Sequence, residues 1–342
     1  MIIKKFLLYV LLFLTPLILI LTFGYIGYSK SGGDLNRIGK ISFPGNYRNI
    51  FFVELDKIYY DTVEDSLKSS YDYIVVGDSF SWQGLQGYQN YLASVEGIEL
   101  LSLHNSYYGN MNPIEYVYGL LNTGFFNLYQ PKYLILESVE RSFISRTRDI
   151  DKHILLDNED IYRLYNSTID PTSPLTTIQD SFKYPIFSLF YLLDDNAFFS
   201  DVYKFKTKIE LFSLPYKELC IYNDDITSLD NASADTIGIL NKELNELSGL
   251  LEELNIKLIV LPAPDKYDLY YDYIIDNKFP NNPFFDLLDK EEKGYLFINS
   301  KEILLDKINQ GAKDIYFADD THWSPIAAKL IADEIVKISG MK

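Results

Sequence analysis

The chain has little of what metal centres and disulfide frameworks are built from: one cysteine, three histidines and two tryptophans in 342 residues. A single cysteine, Cys220, excludes an internal disulfide, and so few histidines leave no Cys/His cluster at zinc-ligand spacing. Neither a metal nor another cofactor is expected. Cys220 has no adjacent basic residue to stabilise a thiolate, so it reads as an inert buried thiol. Basic charge is scarce as well, with 31 Lys and Arg against 48 Asp and Glu and a net charge of -17. Holding a nucleic acid takes a concentrated Lys/Arg surface, and no such run occurs, so nucleic acid is excluded as a partner. What the chain has in quantity is apolar material: 47% hydrophobic residues, enough for one large domain or two, and 29 tyrosines. Taken singly, a tyrosine fills core or surface; the surplus as a whole offers platforms on which sugars stack.

One long uncharged run is present. After Lys4 and Lys5, the stretch from Phe6 to Tyr28 carries no charge. A bilayer core of about 30 Å takes ~20 helical residues to cross, whereas the apolar region of a signal peptide runs to roughly 7 to 15. An uncleaved anchor over residues 1–30 is expected, with cleavage after Ser31 or Gly32 as the alternative. Lys4 and Lys5 favour a cytoplasmic N-terminus; Lys30, Arg37 and Lys40 on the far side weigh against it. The expectation is a single-pass cell-membrane protein whose remaining chain is extracytoplasmic. Residues 31–70 read as a linker and membrane-proximal lead-in.

From Tyr71 the chain alternates strand-like and helix-like segments. Strands are expected at Tyr73 to Val76, Ile98 to Leu103, Tyr133 to Ser138, Lys257 to Pro262, Phe297-Ile298 and Ile315 to Phe317. Helices are expected at Gln83 to Val95, Asn112 to Leu121, Thr236 to Leu254 and Lys301 to Asn309. This βαβ rhythm predicts an α/β fold, a parallel sheet with helices on both faces. Residues 146–235 break the rhythm and read as an inserted cap region, with short helices around Phe182 to Leu193 and Val202 to Phe212. The domain proper is thus placed at 71–342.

Two short blocks fall at the ends of expected strands. Gly77-Asp78-Ser79-Phe80-Ser81 follows the first, and glycine there permits the tight turn that exposes Ser79. Asp319-Asp320-Thr321-His322-Trp323 precedes Ser324-Pro325, a natural N-cap and first residue for a final helix. A serine hydroxyl is a poor nucleophile near neutral pH unless an imidazole takes its proton, and a carboxylate must fix that imidazole's tautomer. Ser79 and His322 fill the first two roles, and Asp319 or Asp320 the third. Asp78 is expected to order the turn, His104 to pack within a strand and His153 to lie in a loop. Ser79 N–H, Gly109 N–H and Asn110 are candidate oxyanion donors, although Asn105 and Asn110 also suit simple turns.

These blocks resemble the SGNH-hydrolase superfamily, and within it the extracytoplasmic alginate O-acetyltransferase-like branch, with its Gly-Asp-Ser and Asp-x-His-Trp motifs. The resemblance covers about residues 71–141 and 255–342. It implies a flavodoxin-like three-layer sandwich and Asp320 as the carboxylate, since that branch places it two residues before the histidine; the wider superfamily's Asp-x-x-His spacing selects Asp319. Leu261-Pro262-Ala263-Pro264-Asp265-Lys266 and Glu137-Ser138-Val139-Glu140-Arg141 are similar to further blocks of the branch. By that likeness Arg141, Lys266 and Trp323 are substrate-side candidates, with a structural ion pair as the other reading of Arg141 and Lys266. The superfamily's Gly-x-Asn-Asp block is absent. The resemblance implies serine-dependent O-acetylation of an envelope or secreted polysaccharide, with an integral-membrane acyl-delivery protein as partner. A carbohydrate esterase, a teichoic-acid D-alanylation factor and a non-catalytic polysaccharide-assembly subunit are the alternatives.

Overall fold

In the computed structural model, the structure describes residues 2–29, 33–41, 43, 55–63, 65, 67–104, 111–157, 161, 178–214 and 217–341. Helix α1 (Ile2–Ser29) is apolar; its stretch Ile3–Phe23 is not buried, although the helix packs against Ile178–Phe190. Thr15 and Thr22 return their hydroxyls to carbonyls four residues back, at 2.7 and 2.8 Å, which hides those groups on an apolar surface. The helix is long and apolar enough to cross a membrane, a test that a signal sequence also passes. A short helix, α2 (Asp34–Gly39), follows.

Among the described residues, seven strands form two sheets. β1 (Tyr73–Gly77), β2 (Leu100–His104), β3 (Tyr133–Val139), β6 (Lys257–Ala263) and β7 (Leu296–Phe297) make a five-stranded parallel sheet in the order β2-β1-β3-β6-β7. Val75 lies opposite Ser102 on one side and Ile135 on the other, and Ile135 lies opposite Ile259. β4 (Val202–Lys206) and β5 (Glu218–Tyr222) pair antiparallel as a separate ribbon. Strands buried on both faces of a parallel sheet read as continuous apolar runs, as Ile74-Val75-Val76 and Leu258-Ile259-Val260 do.

Alternate side chains point to opposite faces, and the core divides accordingly. Tyr73, Val75, Ile135 and Ile259 pack with α3 (Tyr88–Ala93) and the final helix, through Leu92, Ala327, Ile331 and Ile335. Ile74, Val76, Leu134 and Leu258 pack with α4 (Pro113–Asn122) and the long helix Ala234–Glu252, through Ile114, Val117, Leu240 and Leu247. These are the three layers. We label the remaining helices used below α5 (Ile178–Phe190), α6 (Ala234–Glu252), α7 (Lys266–Tyr270), α8 (Ser300–Asn309) and α9 (Pro325–Ser339).

Counting only the strands of the large sheet, their order is 2-1-3-4-5, the flavodoxin-like arrangement. Its crevice opens at the carboxyl ends of the strands where the winding reverses, between β1 and β3. Ser79 follows β1 and Arg141 follows β3, so both blocks feed that crevice.

Three local expectations are corrected. Val202 to Phe212 is no helix: it begins as strand β4. Buried Val202 and Phe205 stand three apart and imitate a helical period, but pairing with β5 and the stacking of Tyr203 on Phe205, two residues apart, favour the extended chain. Ile315 to Phe317 does not join the sheet. Its backbone pairs with residues 322–324 of its own loop, through the Tyr316–Trp323 bridge and the bonds Phe317 N–H to His322 C=O and Ser324 N–H to Ile315 C=O. The stretch Gln83 to Val95 is helical only in part, a 3-10 turn at Gly84–Gln86 followed by α3.

Residues read as a lead-in also contribute to the body. Leu35, Ile41, Phe43 and Tyr60 are buried in the core, and Asp61 bridges Leu101 on the outer edge of β2.

Candidate active site

The nucleophile turn is built around carboxylates. Beyond Gly77 the chain makes a 3-10 turn, Ser79–Ser81, capped by Asp78, whose Oδ1 accepts from Phe80 N–H at 3.1 Å. Its Oδ2 accepts from Val139 N–H at 2.9 Å and from Arg146 Nη1 at 2.7 Å, tying the end of β1 to the end of β3. Glu137 lies fully buried beneath. Its Oε2 accepts from Asp78 N–H at 2.9 Å and from the Ser81 hydroxyl at 2.8 Å. A Cβ at position 77 would run into both Ser81 Oγ and Glu137 Oε2, so glycine is required there by close approach. The turn thus holds Ser79 half-buried at the crevice.

The histidine loop is a hairpin pinned from below. Lys266, buried at the start of α7, donates to the carbonyls of Phe317, Ala318 and Asp320 at 2.7, 3.0 and 3.0 Å. Ser324 caps α9 by accepting from Ile326 N–H at 3.1 Å, and Pro325 opens that helix. Trp323 is fully buried and meets Phe80 edge-on, with ring centroids 4.9 Å apart, and Tyr88 at 6.1 Å. Such aromatic pairs contribute about 1 kcal/mol each beyond the area they bury. They lock the histidine loop to the nucleophile turn.

Between them the two elements bring Ser79, His322 and Asp320 into line. His322 Nε2 lies 2.7 Å from Ser79 Oγ, and His322 Nδ1 lies 2.6 Å from Asp320 Oδ1. An ionised carboxylate only accepts, so Nδ1 carries the proton of the neutral ring and Nε2 presents its lone pair to the serine. Asp320 Oδ1 also accepts from His322 backbone N–H at 3.1 Å, which fixes the ring relative to its own main chain. Burial favours the neutral imidazole, but the Asp320 carboxylate, then Asp34 and Asp78, outweigh it and raise His322 above its usual value of 6.5.

The remaining expected site residues fall as follows. Asp319, the competing carboxylate, is buried, and its carbonyl accepts from Asn36 N–H at 3.2 Å; the oxygen on His322 Nδ1 is that of Asp320. Arg141 departs from a substrate-side position: its Nη1 binds Asp265 at 2.7 Å and Asp225 at 3.1 Å, and its guanidinium lies over Tyr222. Lys266 and Trp323 sit beneath the histidine loop for the reasons given, because three carbonyls need a donor there and the indole fills the core. Gly109 and Asn110 lie outside the described residues.

Three contributors were not singled out from sequence: Asp34, Glu137 as a floor for the turn, and Arg146. Asp34 Oδ1 accepts from Thr321 N–H at 2.8 Å and its Oδ2 from Thr321 Oγ1 at 2.5 Å, leaving Oδ2 4.0 Å from His322 Nδ1. No local pattern announces this contact. Arg146, by contrast, stands in an Arg-rich stretch directly after β3 and the Glu-Arg block, a signal that sequence reasoning could have used.

Glu137 and Asp78 are shifted in opposite directions. Burial, and then the Asp78 carboxylate, push Glu137 well above 4.5. Burial would also raise Asp78, but Arg146 and the N–H groups of Val139 and Phe80 outweigh it and lower its value below 3.8. Because the folded value of Glu137 is raised, its contribution to stability is complete below about pH 4.5 and is lost as pH climbs toward the folded value. The loss reaches at most about 1.4 kcal/mol per pH unit. Glu137→Gln, a mimic of the neutral form, is expected to flatten the fall of melting temperature between pH 5 and 8. Glu137→Ala strips an acceptor from the Asp78 N–H and the Ser81 hydroxyl and is expected to cost about 2 to 5 kcal/mol. Identical pH slopes in wild type and the Gln variant would show that Glu137 is ionised throughout.

Asp34, Asp320 and His322 hold potential ligand atoms within 4.8 Å of one another. Those atoms are already spent: Asp320 on the imidazole and Asp34 on Thr321. A cation would have to displace these bonds, so the set does not fit a metal. A cavity of about 590 Å³ lined by Phe285, Asp289, Lys301 and Asp306 lies elsewhere and includes none of the residues aligned with Ser79.

Residues 222–339 match the family model described as SGNH hydrolase-like domain, acetyltransferase AlgX. No curated protein and no solved structure matches the chain. The matched stretch spans α6 to α9 with β6 and β7, and it contains Lys266, Asp320 and His322. Ser79 lies outside it and reaches it through the 2.7 Å contact with His322. A parallel sheet in the 2-1-3-4-5 order, carrying a serine turn and an Asp-x-His-Trp loop at one end, agrees with that match. Over residues 222–339 the chain is similar to an SGNH hydrolase-like domain of the AlgX type, a likeness that supports acetyltransferase or hydrolase chemistry in general.

Proposed function

We propose that the protein transfers acetyl groups to hydroxyls of an extracytoplasmic polysaccharide through an acetyl-serine intermediate. The observation that carries the reading is the unbroken chain Ser79 Oγ, His322 Nε2, His322 Nδ1, Asp320 Oδ1, with links of 2.7 and 2.6 Å. In this scheme His322 takes the Ser79 proton as Oγ attacks the carbonyl of an acetyl donor. The tetrahedral oxyanion collapses, His322 returns the proton to the leaving group, and acetyl remains on Ser79. A sugar hydroxyl then gives its proton to His322 and attacks the acetyl-serine; the Ser79 Oγ–acyl bond breaks, His322 returns the proton to Oγ, and the acetylated sugar leaves. Ser79 N–H, with Gly109 and Asn110 as further candidates, would receive the oxyanion; one such donor is worth about 3 kcal/mol of barrier.

Helix α1 supports a membrane location, and the expected orientation places the domain outside the cytoplasmic membrane. A domain held there would meet nascent polysaccharide and an integral-membrane protein supplying acetyl groups. With water as the second nucleophile, the same residues make a carbohydrate esterase.

The test offers the full-length protein an aryl acetate with and without a panel of oligosaccharides. Acetylated sugar is the expected product. Hydrolysis alone across the panel would favour the esterase, and failure of Ser79 to label with a fluorophosphonate would favour a non-catalytic assembly subunit.

A further inference from the structure

We infer that the segment following the apolar N-terminal helix is part of the active site, with Asp34 of α2 a positioning residue for His322. The inference deepens the acyl-transfer reading above and rests on it. Both of the peptide groups that flank Asp320 are gripped from this one segment. On one side Asn36 N–H donates to Asp319 C=O at 3.2 Å. On the other, Asp34 takes both donors of Thr321, backbone N–H at 2.8 Å and hydroxyl at 2.5 Å. A Cβ on Gly33 would collide with the Asp319 backbone, so the segment lies as close to the loop as a main chain can.

The grip is itself anchored. Leu35 and Asn36 are fully buried, the Asn36 amide donates to Ile41 C=O, and Asn36 Oδ1 accepts from the Tyr184 hydroxyl of α5 at 3.2 Å. A buried polar residue with its bonds satisfied on both sides orders a chain more firmly than apolar contact alone. Asp34 therefore reaches Thr321 from a fixed base rather than from a swinging linker. Asp34 Oδ2 and Thr321 Oγ1 lie 4.0 and 3.4 Å from His322 Nδ1, on the nitrogen that Asp320 orients.

A functional consequence follows from covalent reach. Five residue steps lead from Ser29, the last of α1, to Asp34, a span of at most about 18 Å. His322 is thus tied to within on the order of 25 Å of the end of that helix. The strap couples the position of the anchor to the geometry of the catalytic loop.

The charged groups acting on His322 are Asp320 of its own loop, Asp34 of α2 and Asp78 of the nucleophile turn with its partner Arg146, while Lys266 of α7 lies behind the loop. Asp34→Asn removes one negative charge while one amide oxygen still accepts from Thr321. Thr321→Val removes the hydroxyl bond and leaves every charge in place.

The experiment uses the full chain in detergent micelles. It records kcat and KM for an aryl acetate against pH, and follows the ¹⁵N-labelled imidazoles by NMR, where only three histidines contribute. Asp34→Asn is expected to lower kcat about 10- to 100-fold with KM within twofold. It is also expected to move both the acidic limb of kcat and the His322 titration to lower pH. Thr321→Val is expected to lower kcat by about tenfold with both midpoints unmoved.

Wild-type kcat and titration in Asp34→Asn would overturn the inference, and so would a fall in melting temperature with no movement of the His322 midpoint. The NMR readout needs no turnover. If the wild-type chain showed no Ser79-dependent activity while Asp34→Asn still moved the His322 midpoint, the acyl-transfer reading would fail and the strap would stand.

Discussion

Alanine at position 79 is expected to abolish acyl-enzyme formation and to lower aryl acetate turnover by about four to six orders of magnitude. The hydroxyl is the atom that His322 Nε2 faces at 2.7 Å, and the neighbouring Ser81 cannot replace it. Ser81 Oγ is buried, donates to Glu137 and shares a bond of 2.9 Å with Tyr88. Time-resolved mass spectrometry of the intact protein checks the result directly, as an acetyl adduct on the Ser79 peptide in wild type and none in the variant. His322→Ala should fall as far, and the double variant no further, because residues that act as one unit give non-additive losses. An adduct that persisted in Ser79→Ala, or a double variant much worse than either single one, would count against a shared nucleophile and base.

The second large effect is expected at Asp320. An asparagine there would aim either an amide N–H at Nδ1 or a neutral oxygen in place of the carboxylate. The first outcome moves the ring proton to Nε2 and leaves no base for Ser79. A loss of about 10³ to 10⁴ in kcat is expected, the magnitude seen when an imidazole is left in the wrong tautomer. Asp319→Asn is expected to stay within about tenfold of wild type, since the oxygen facing the imidazole is that of Asp320.

The pH profiles add a signed check. His322 is raised in the native protein, and general-base activity needs its neutral form, so wild-type kcat climbs with pH through a value above 6.5. Burial opposes the charged imidazole and Asp320 is the first group offsetting it, so Asp320→Asn should move the midpoint of the residual activity downward. For stability the sign reverses. The protonated, paired imidazole favours the fold below its unfolded value, and that share is lost as pH rises through the raised folded value. A midpoint unchanged in Asp320→Asn would show that another group carries the proton.

Both predictions depend on a site whose parts were unequally visible in sequence. Ser79 and His322 could be named because each stands in a local pattern, an apolar run ending in glycine and an N-cap followed by proline. The choice between Asp319 and Asp320 could not be made from reach alone, since both lie within reach of the imidazole on an unspecified loop; the resemblance selected Asp320. It took the hairpin between Tyr316 and Trp323, held by Lys266, to turn one carboxylate to the ring and leave the other beneath α2. For Arg141 two readings were open, a substrate anion or a structural ion pair. A guanidinium after a sheet strand suggests a substrate anion, but Asp225 and Asp265 arrive from distant segments and occupy it.

What the sequence determined by itself was the framework: the apolar runs of the parallel strands, the helical faces that cover them, the apolar N-terminal helix, and the positions of the serine and histidine blocks. Each is a short-range pattern of burial or capping. Tertiary structure alone decided which cations are already spent, that Val202 to Lys206 is extended, and that the lead-in enters the site. The reason is distance along the chain. The Ser79–His322 and Asp34–Thr321 contacts join residues 243 and 287 positions apart, and only the closed sheet brings such partners within a hydrogen bond of each other.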